Sequence, residues 1–311
     1  MVTVLLFPGQ GAQKPGMARD LADKFPAAAA TLEQIDAALD TSLTDVMWNG
    51  SAEDLTLTHN AQPAILAHSA AVLSVVQERL GDTVVAAAGH SLGEYSAYIA
   101  TGSLEAPAAA RLVRRRGTLM FEAGELRPGT MAAVIGLEVE GVRSACQEAS
   151  AGNGGTVVAA NLNAPDQTVI SGDPSAVERA GELCKAAGAK RVLPLKVSGA
   201  FHSPLMAPAQ DGLREAIRVT AFGEPRFPVF ANATADAVTG SDDAQKLLVE
   251  QIIAPVRWVE TMQAIHARWP DARWLELGPG SVLSGLLRRI VPTAQCTALG
   301  TAEEVGRFLA L

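Results

Sequence analysis

The sequence predicts an α/β protein, in which a mostly parallel sheet is covered by helices and interrupted by a small second unit. Three observations carry this. Short apolar runs alternate with longer helical stretches over most of the chain, as in sheets buried on both faces. Gly89-His90-Ser91-Leu92-Gly93 joins one such run directly to a helix. From Thr130 the order changes to strand, helix, strand, strand, helix, strand, which is the ferredoxin-like βαββαβ unit.

In chain order, residues 2–7 are an apolar strand closed by the open turn Pro8-Gly9-Gln10-Gly11. Residues 17–25 and 28–39 read as short helices, and Ser51 with Asp54 forms a capping box. Residues 58–80 are a long Ala-rich helix stopped by Gly81. Residues 83–88 form a buried strand and 92–100 a helix. The helix over 104–125 carries Arg111, Arg114, Arg115 and Arg116. Consecutive helical residues point about 100° apart, so this run cannot all face one site, and at most one or two face inward.

The strands of the βαββαβ unit are read at 131–136, 156–161, 168–172 and 191–197, and its helices at 139–150 and 175–187. Gly124 and Pro128 bound it on one side and Ser198-Gly199 on the other. Residues 127–197 are therefore expected to form a small subdomain within a large domain of residues 1–126 and 198–311. Beyond it, Phe201-His202-Ser203-Pro204 opens a helix to about residue 219, and residues 227–231 are a strand. Helices follow at 244–253 and 256–267, then a strand at 273–277. Gly278-Pro279-Gly280 turns that strand into a helix over 282–290.

The chain has 311 residues, 48% hydrophobic and 19% charged, enough for one large domain carrying a smaller one. A net charge of −8 argues against nucleic acid as a partner. No apolar run approaches membrane-spanning length, and Met1 leads into a strand pattern rather than a signal peptide. No membrane association and a cytoplasmic location are expected. The three cysteines, Cys146, Cys184 and Cys296, are far apart and form no C-x-x-C, which argues against a disulfide framework or a Cys-rich zinc site and fits a reducing compartment. His59 and His68 have no partner at metal spacing. The turn after the first strand lacks the third glycine of G-x-G-x-x-G and the G-K-[ST] of a phosphate loop. No metal and no organic cofactor are expected.

With a strand before it and a helix after it, G-x-S-x-G has the form of a nucleophile elbow. The turn lifts Ser91 Oγ into a cleft above a helix N-terminus, and its glycines are expected to permit the strain. A serine nucleophile needs a base, and there are five histidines. His90 is adjacent to Ser91 and should point away from it, and His266 lies mid-helix and should be at the surface. His202 follows a strand end and a glycine-containing loop, where sheet proteins place active residues, and is read as the base. Its titration is expected in the ordinary histidine range, roughly 6–7. Asp211, Asp236 and Asp242 are unremarkable as a third member, so a backbone carbonyl can orient the imidazole, making a dyad. The N–H of Leu92 is the expected oxyanion donor, with that of Gln10 as the second.

Six segments, in order, carry a resemblance. They are Phe7-Pro8-Gly9-Gln10-Gly11, Gly89-His90-Ser91-Leu92-Gly93-Glu94-Tyr95-Ser96-Ala97, Arg116-Gly117, Ala200-Phe201-His202-Ser203, Gln251 with Pro255-Val256-Arg257-Trp258, and Glu276-Leu277-Gly278-Pro279-Gly280. Together they resemble the malonyl-CoA:acyl carrier protein transacylases from the first strand to the last. The resemblance implies an α/β-hydrolase-like parallel-sheet core with the ferredoxin-like insert. It implies transfer of malonyl from malonyl-CoA to the phosphopantetheine thiol of an acyl carrier protein, for fatty acid or polyketide synthesis. Ser91 would become malonylated, and His202 would act as base and then as acid for the leaving thiol. The main-chain carbonyl of Gln251 would orient His202, and Gln10 and Leu92 would form the oxyanion hole. Arg116, marked within its run by Gly117, would clasp the malonyl carboxylate, and Asn161 and Asn163 would line the pantetheine side. Phe201 precedes the histidine, as in many malonyl-selecting polyketide acyltransferases, and is expected to crowd the malonyl C2. Coenzyme A would enter only as part of the substrate.

Two other readings compete. A serine hydrolase of this fold places its histidine after the last strand, yet no histidine follows His266. A non-catalytic carrier-protein docking module would not need an intact Ser91 and His202.

Overall fold

The computed structural model describes residues 1–151 and 155–310. Among these, the strands are β1 (Thr3–Phe7), β2 (Val84–Gly89), β3 (Thr130–Ile135), β4 (Val157–Ala164), β5 (Gln167–Gly172), β6 (Arg191–Pro194), β7 (Val229–Phe230), β8 (Ala237–Val238), β9 (Arg273–Leu277) and β10 (Cys296–Leu299). The larger sheet has the order β10-β9-β1-β2-β7-β8 and is parallel except for its last pair. All five residues of β1 are buried because both faces of the sheet are covered. Leu5 and Phe7 join the helical core on one face, while Val4 and Leu6 pack with Trp258 and Trp274 on the other.

The helix Thr58–Leu80 is buried around most of its circumference, which its Ala-rich, nearly uncharged sequence permits. It lies along the helix Ala106–Leu126. A Cβ at Gly117 would stand 2.8 Å from Thr58 O, so only glycine lets the two helices close to this distance. That contact fixes the height of Arg116 over the sheet.

The smaller sheet is antiparallel with the order β4-β5-β3-β6, the ferredoxin-like arrangement. The helices Val139–Ala151 and Pro174–Ala186 cover it, with their own core around Val134, Val142, Ile170 and Cys184. Backbone pairing at Val256 stitches it to the large sheet's side. Val256 N–H donates to Ala160 O at 2.8 Å, and Leu162 N–H donates to Val256 O at 2.9 Å. The pairing of β4 with β5 slips between Ala159 and Asn161, where β4 turns this backbone to Val256. Of the expected domain spans, residues 152–154 and 311 lie outside the described residues.

Several elements differ from expectation. The strand read at 227–231 shortens to β7, because Pro228 has no N–H to pair. The helix read from Phe201 starts later. His202 is left-handed, a 3₁₀ turn spans Pro204–Met206, and the α-helix is Ala207–Arg218. The strand β10 and the helix Ala302–Ala310 were not anticipated, since a four-residue, partly exposed edge strand has no apolar run to announce it.

Candidate active site

The C-terminal ends of three adjacent parallel strands meet at one cleft. Gln10 follows β1, Ser91 follows β2 and Asn232 follows β7. Ser91 sits at φ 51°, in the left-handed region. Neither Gly89 nor Gly93 has a positive φ, so the strained torsion lies at Ser91 itself. The two glycines provide the room. A Cβ on Gly89 would lie 1.9 Å from the carbonyl carbon of Gly93, and one on Gly93 would lie 2.2 Å from Phe7 O. Asn232 braces the turn, its Oδ1 accepting from Ser91 N–H at 2.7 Å and its Nδ2 donating to Gly89 O at 2.7 Å.

Ser91 Oγ lies 2.8 Å from His202 Nε2. Across the ring, Nδ1 faces Gln251 O at 2.9 Å and Ala254 O at 3.2 Å. Both carbonyls can only accept, so Nδ1 carries the proton and Nε2 is the acceptor for the serine hydroxyl. Burial, joined by the positive charge of Arg116, pushes the His202 pKa down to about 3, against the opposing pull of the two carbonyls. The imidazole is therefore neutral well below the range of 6–7 expected from the sequence.

Arg116 is 1% exposed, and its guanidinium is held by neutral groups. Nη1 donates to Gln62 Oε1 at 2.8 Å, and Nη2 donates to Gln251 Oε1 at 2.9 Å and Ser91 Oγ at 3.0 Å. The cation also lies over the Tyr95 ring at 5.6 Å. Its neighbours in the run go elsewhere, as the helical geometry requires. Arg114 donates to Asn60 Oδ1, and Arg111 and Arg115 are exposed.

The cleft has a volume of about 260 Å³. Gln10, Gln13, Thr56, His90, Ser91, Arg116, Asn161, Lys196 and His202 supply its polar lining, and Leu92, Met120, Met131, Val169, Leu195, Val197 and Phe201 its apolar wall. No hydrogen bond occupies the main-chain N–H of Gln10 or Leu92 among the described residues. Asn161 Oδ1 is buried without a partner. Asn163 does not border the cleft. Its Oδ1 accepts from His90 Nε2 at 2.8 Å, which turns that imidazole from Ser91 toward the insert. His266 is half-buried in its helix rather than at the surface. His68 is a core histidine bonded to Gly300 O. Among the described residues, no group of three or more His, Cys, Asp or Glu side chains is placed to hold a metal ion.

Sequence reasoning missed Gln62, Glu94 and Asn232. Glu94 did leave a signal. It is a lone charge in the otherwise uncharged helix Gly93–Thr101, and it is completely buried. Burial pushes its pKa up to about 7, against hydrogen bonds from Asn232 N–H and the Gln251 amide and the charge of Arg116. Gln62 and Asn232 left none, because a buried amide reads like any polar residue until its partners are known.

The family model described as an acyl transferase domain matches residues 4–307. The malonyl CoA-acyl carrier protein transacylase of Bacillus subtilis (strain 168) is 42% identical over 300 residues, covering 96% of this chain and 94% of the relative. The protein of the same name from Escherichia coli (strain K12) is 41% identical over 306 residues, covering 98% of each. A solved malonyl-transacylase, in complex with its type II PKS acyl-carrier protein, superposes with a TM-score of 0.94 at 41% identity, covering 100% of this chain and 99% of that one. An elbow serine, a carbonyl-held histidine and a buried arginine that touches the serine thus stand on a matching fold, and the chain belongs to the malonyl-CoA:acyl carrier protein transacylase family.

Proposed function

We propose that the chain moves malonyl from malonyl-CoA to the phosphopantetheine thiol of an acyl carrier protein, through a malonyl ester on Ser91. The observation that carries this is the sharing of one atom: Ser91 Oγ touches both His202 Nε2 and Arg116 Nη2. The first contact activates the hydroxyl. The second puts a fixed cation where the acyl group must enter, and malonyl is an acyl group that carries its own carboxylate.

In the first half-reaction, Ser91 Oγ attacks the thioester carbon and its proton passes to His202 Nε2. The main-chain N–H groups of Gln10 and Leu92 receive the oxyanion, and the Arg116 fork receives the carboxylate. The C–S bond breaks and the coenzyme A sulfur leaves with the proton from His202. In the second half-reaction the carrier thiol gives its proton to His202 and attacks the ester carbon. Ser91 Oγ then leaves and takes that proton back. Burial and the Arg116 charge keep the resting imidazole neutral, so Nε2 is free to take the proton, and the imidazolium formed passes it on readily. The transfer serves fatty acid or polyketide synthesis, and the solved relative in complex with its acyl-carrier protein supports a carrier protein as the partner. Among the described residues no helix is long and apolar enough to cross a membrane, and a cytoplasmic location belongs to this reading.

Intact-mass spectrometry after mixing with malonyl-CoA tests it. One malonyl group should appear on the wild-type protein and none on Ser91→Ala, and holo-carrier protein should remove it faster than water does. Hydrolysis as fast as thiol transfer would identify a hydrolase instead.

A further inference from the structure

Two carboxyl groups are fully buried among the described residues, Glu94 and Glu276. Glu276 has an evident structural task, since it accepts from Leu283 N–H, Ser284 N–H and Ser284 Oγ at the start of the helix Val282–Ile290. Glu94 caps nothing. Its Oε2 accepts from Asn232 N–H at 2.9 Å and from Gln251 Nε2 at 2.9 Å, while Oε1 has no partner. Both partners have their other ends in the active site.

Gln251 shows what this does. Its Nε2 donates to two groups that only accept, Glu94 Oε2 and Ser91 O. That leaves one orientation of the amide, with Oε1 toward Arg116 Nη2. The flipped amide would set its NH₂ against a guanidinium and its oxygen against a carboxyl oxygen and a carbonyl. The main-chain carbonyl of the same residue accepts from His202 Nδ1. Asn232, the second partner, holds the elbow through Ser91 N and Gly89 O.

We propose that Glu94 is a positioning residue for this reaction. Through the Gln251 amide it aims the Arg116 guanidinium at the acyl carboxylate, and through Asn232 it holds the Ser91 turn in register with His202. The inference rests on the malonyl-transfer reading and adds a residue that touches neither substrate nor nucleophile side chain. Because Oε2 does all the accepting, a glutamine at this position can keep both bonds, with its NH₂ taking the place of the unpartnered Oε1. An aspartate keeps the charge but draws the oxygen back by one methylene. The two substitutions therefore separate position from charge.

The experiment compares Glu94→Gln, Glu94→Asp and Glu94→Ala with the wild type. It measures kcat/KM with malonyl-CoA and with acetyl-CoA, per active site counted by covalent acylation. Glu94→Gln should keep the malonyl-to-acetyl ratio within about threefold, whereas Glu94→Asp and Glu94→Ala should lower it by about tenfold or more, the scale of losing a precise guanidinium fork. A double-mutant cycle with Gln251→Ala should be non-additive in that ratio. If Glu94→Asp and Glu94→Ala melt at lower temperature yet keep the wild-type ratio, Glu94 only supports the fold and the proposal is wrong. Should Glu94→Ala fail to fold, Glu94→Asp carries the same test. Failure of the wild-type protein to form a malonyl ester would instead overturn the reading of the reaction.

Discussion

Ser91 and His202, 111 residues apart in the chain, both occupy the left-handed backbone region, at φ 51° and φ 56°, and their side chains meet at 2.8 Å. Neither is glycine or asparagine, so each holds a conformation that costs order 1–3 kcal/mol at such sites. The surrounding bonds impose it. Asn232 holds the Ser91 N–H, and Ser203 Oγ bonds Ala200 O and Leu205 N across the turn that carries His202.

This strain has a measurable consequence. Ser91→Ala removes the hydroxyl and keeps the strained φ, whereas Ser91→Gly removes both. Both variants should be inactive, and Ser91→Gly should be the more stable by about 1 kcal/mol in chemical denaturation, the size of the left-handed penalty for a residue with a Cβ. Equal stabilities would show that the turn stores no strain at Ser91.

The pH dependence follows from the His202 environment. Burial and the Arg116 charge hold its pKa down to about 3, so the neutral base persists far below the ordinary value of 6.5. Acylation should stay flat from neutral pH to about pH 5 and fall only as pH drops toward the folded-state value. Stability has the same sign. The unfolded chain takes up the histidine proton near 6.5 and the folded one does not, so the folded state loses stability as pH falls below that value. Arg116→Ala removes one of the three lowering causes, beside burial and His90, and should move the acylation limb upward. A wild-type limb centred on 6.5 in kcat/KM for malonyl-CoA would mean that the imidazole is solvated.

Much of this site was legible because its signals are local. The elbow is one short segment between a buried strand and a helix, while helical angle limits the inward-facing arginines to one or two and the family resemblance, through the Arg116-Gly117 pair, picks out Arg116. His202 was legible by elimination among five histidines. What stayed hidden is non-local. Gln62, Asn232 and Glu94 act through bonds spanning 54, 141 and 157 residues of chain, and no periodicity encodes such pairings. The depressed proton affinity of His202 was hidden for the same reason, since burial and a charge from another helix cause it. The placement of Asn163 shows the limit of alternation. Asn161 and Asn163 are two apart and would share a face in a regular strand, but β4 slips register a second time between Leu162 and Ala164, and only Asn161 borders the cleft.

Phe201 bears on the size of the acyl group. Its ring is 6% exposed and forms part of the cleft wall directly before the base. A methyl branch at C2 would press on that ring, and a single methyl is worth only about 1–3 kcal/mol of discrimination. Phe201→Ser should therefore raise relative use of methylmalonyl-CoA, by roughly 10- to 200-fold in the kcat/KM ratio on the same scale. An unchanged ratio would place the C2 carbon elsewhere in the cleft.

Arg116 sets the acyl class, and the structure supplies its own control. The Arg116 fork is buried, touches Ser91 Oγ and has only neutral partners, whereas Arg114, two residues earlier, is committed to Asn60. A buried guanidinium whose direct hydrogen-bond partners are all neutral favours an acyl group that brings a carboxylate and disfavours one that does not. Arg116→Ala should thus lower kcat/KM for malonyl-CoA by orders of magnitude while sparing or raising that for acetyl-CoA. Sites built to pair a buried polar group discriminate by about 10⁴ or more. Arg116→Lys keeps the charge but cannot reach Gln62, Gln251 and the substrate with one ammonium, so it should fall between the two. Arg114→Ala should leave the malonyl-to-acetyl ratio as it is, because its partner lies outside the cleft. Equal, small effects of Arg116→Ala and Arg114→Ala on both substrates would refute the clamp. A malonyl preference would then have to come from elsewhere in the cleft, since the apolar wall of Met120, Met131, Val169 and Phe201 favours acetyl over malonyl.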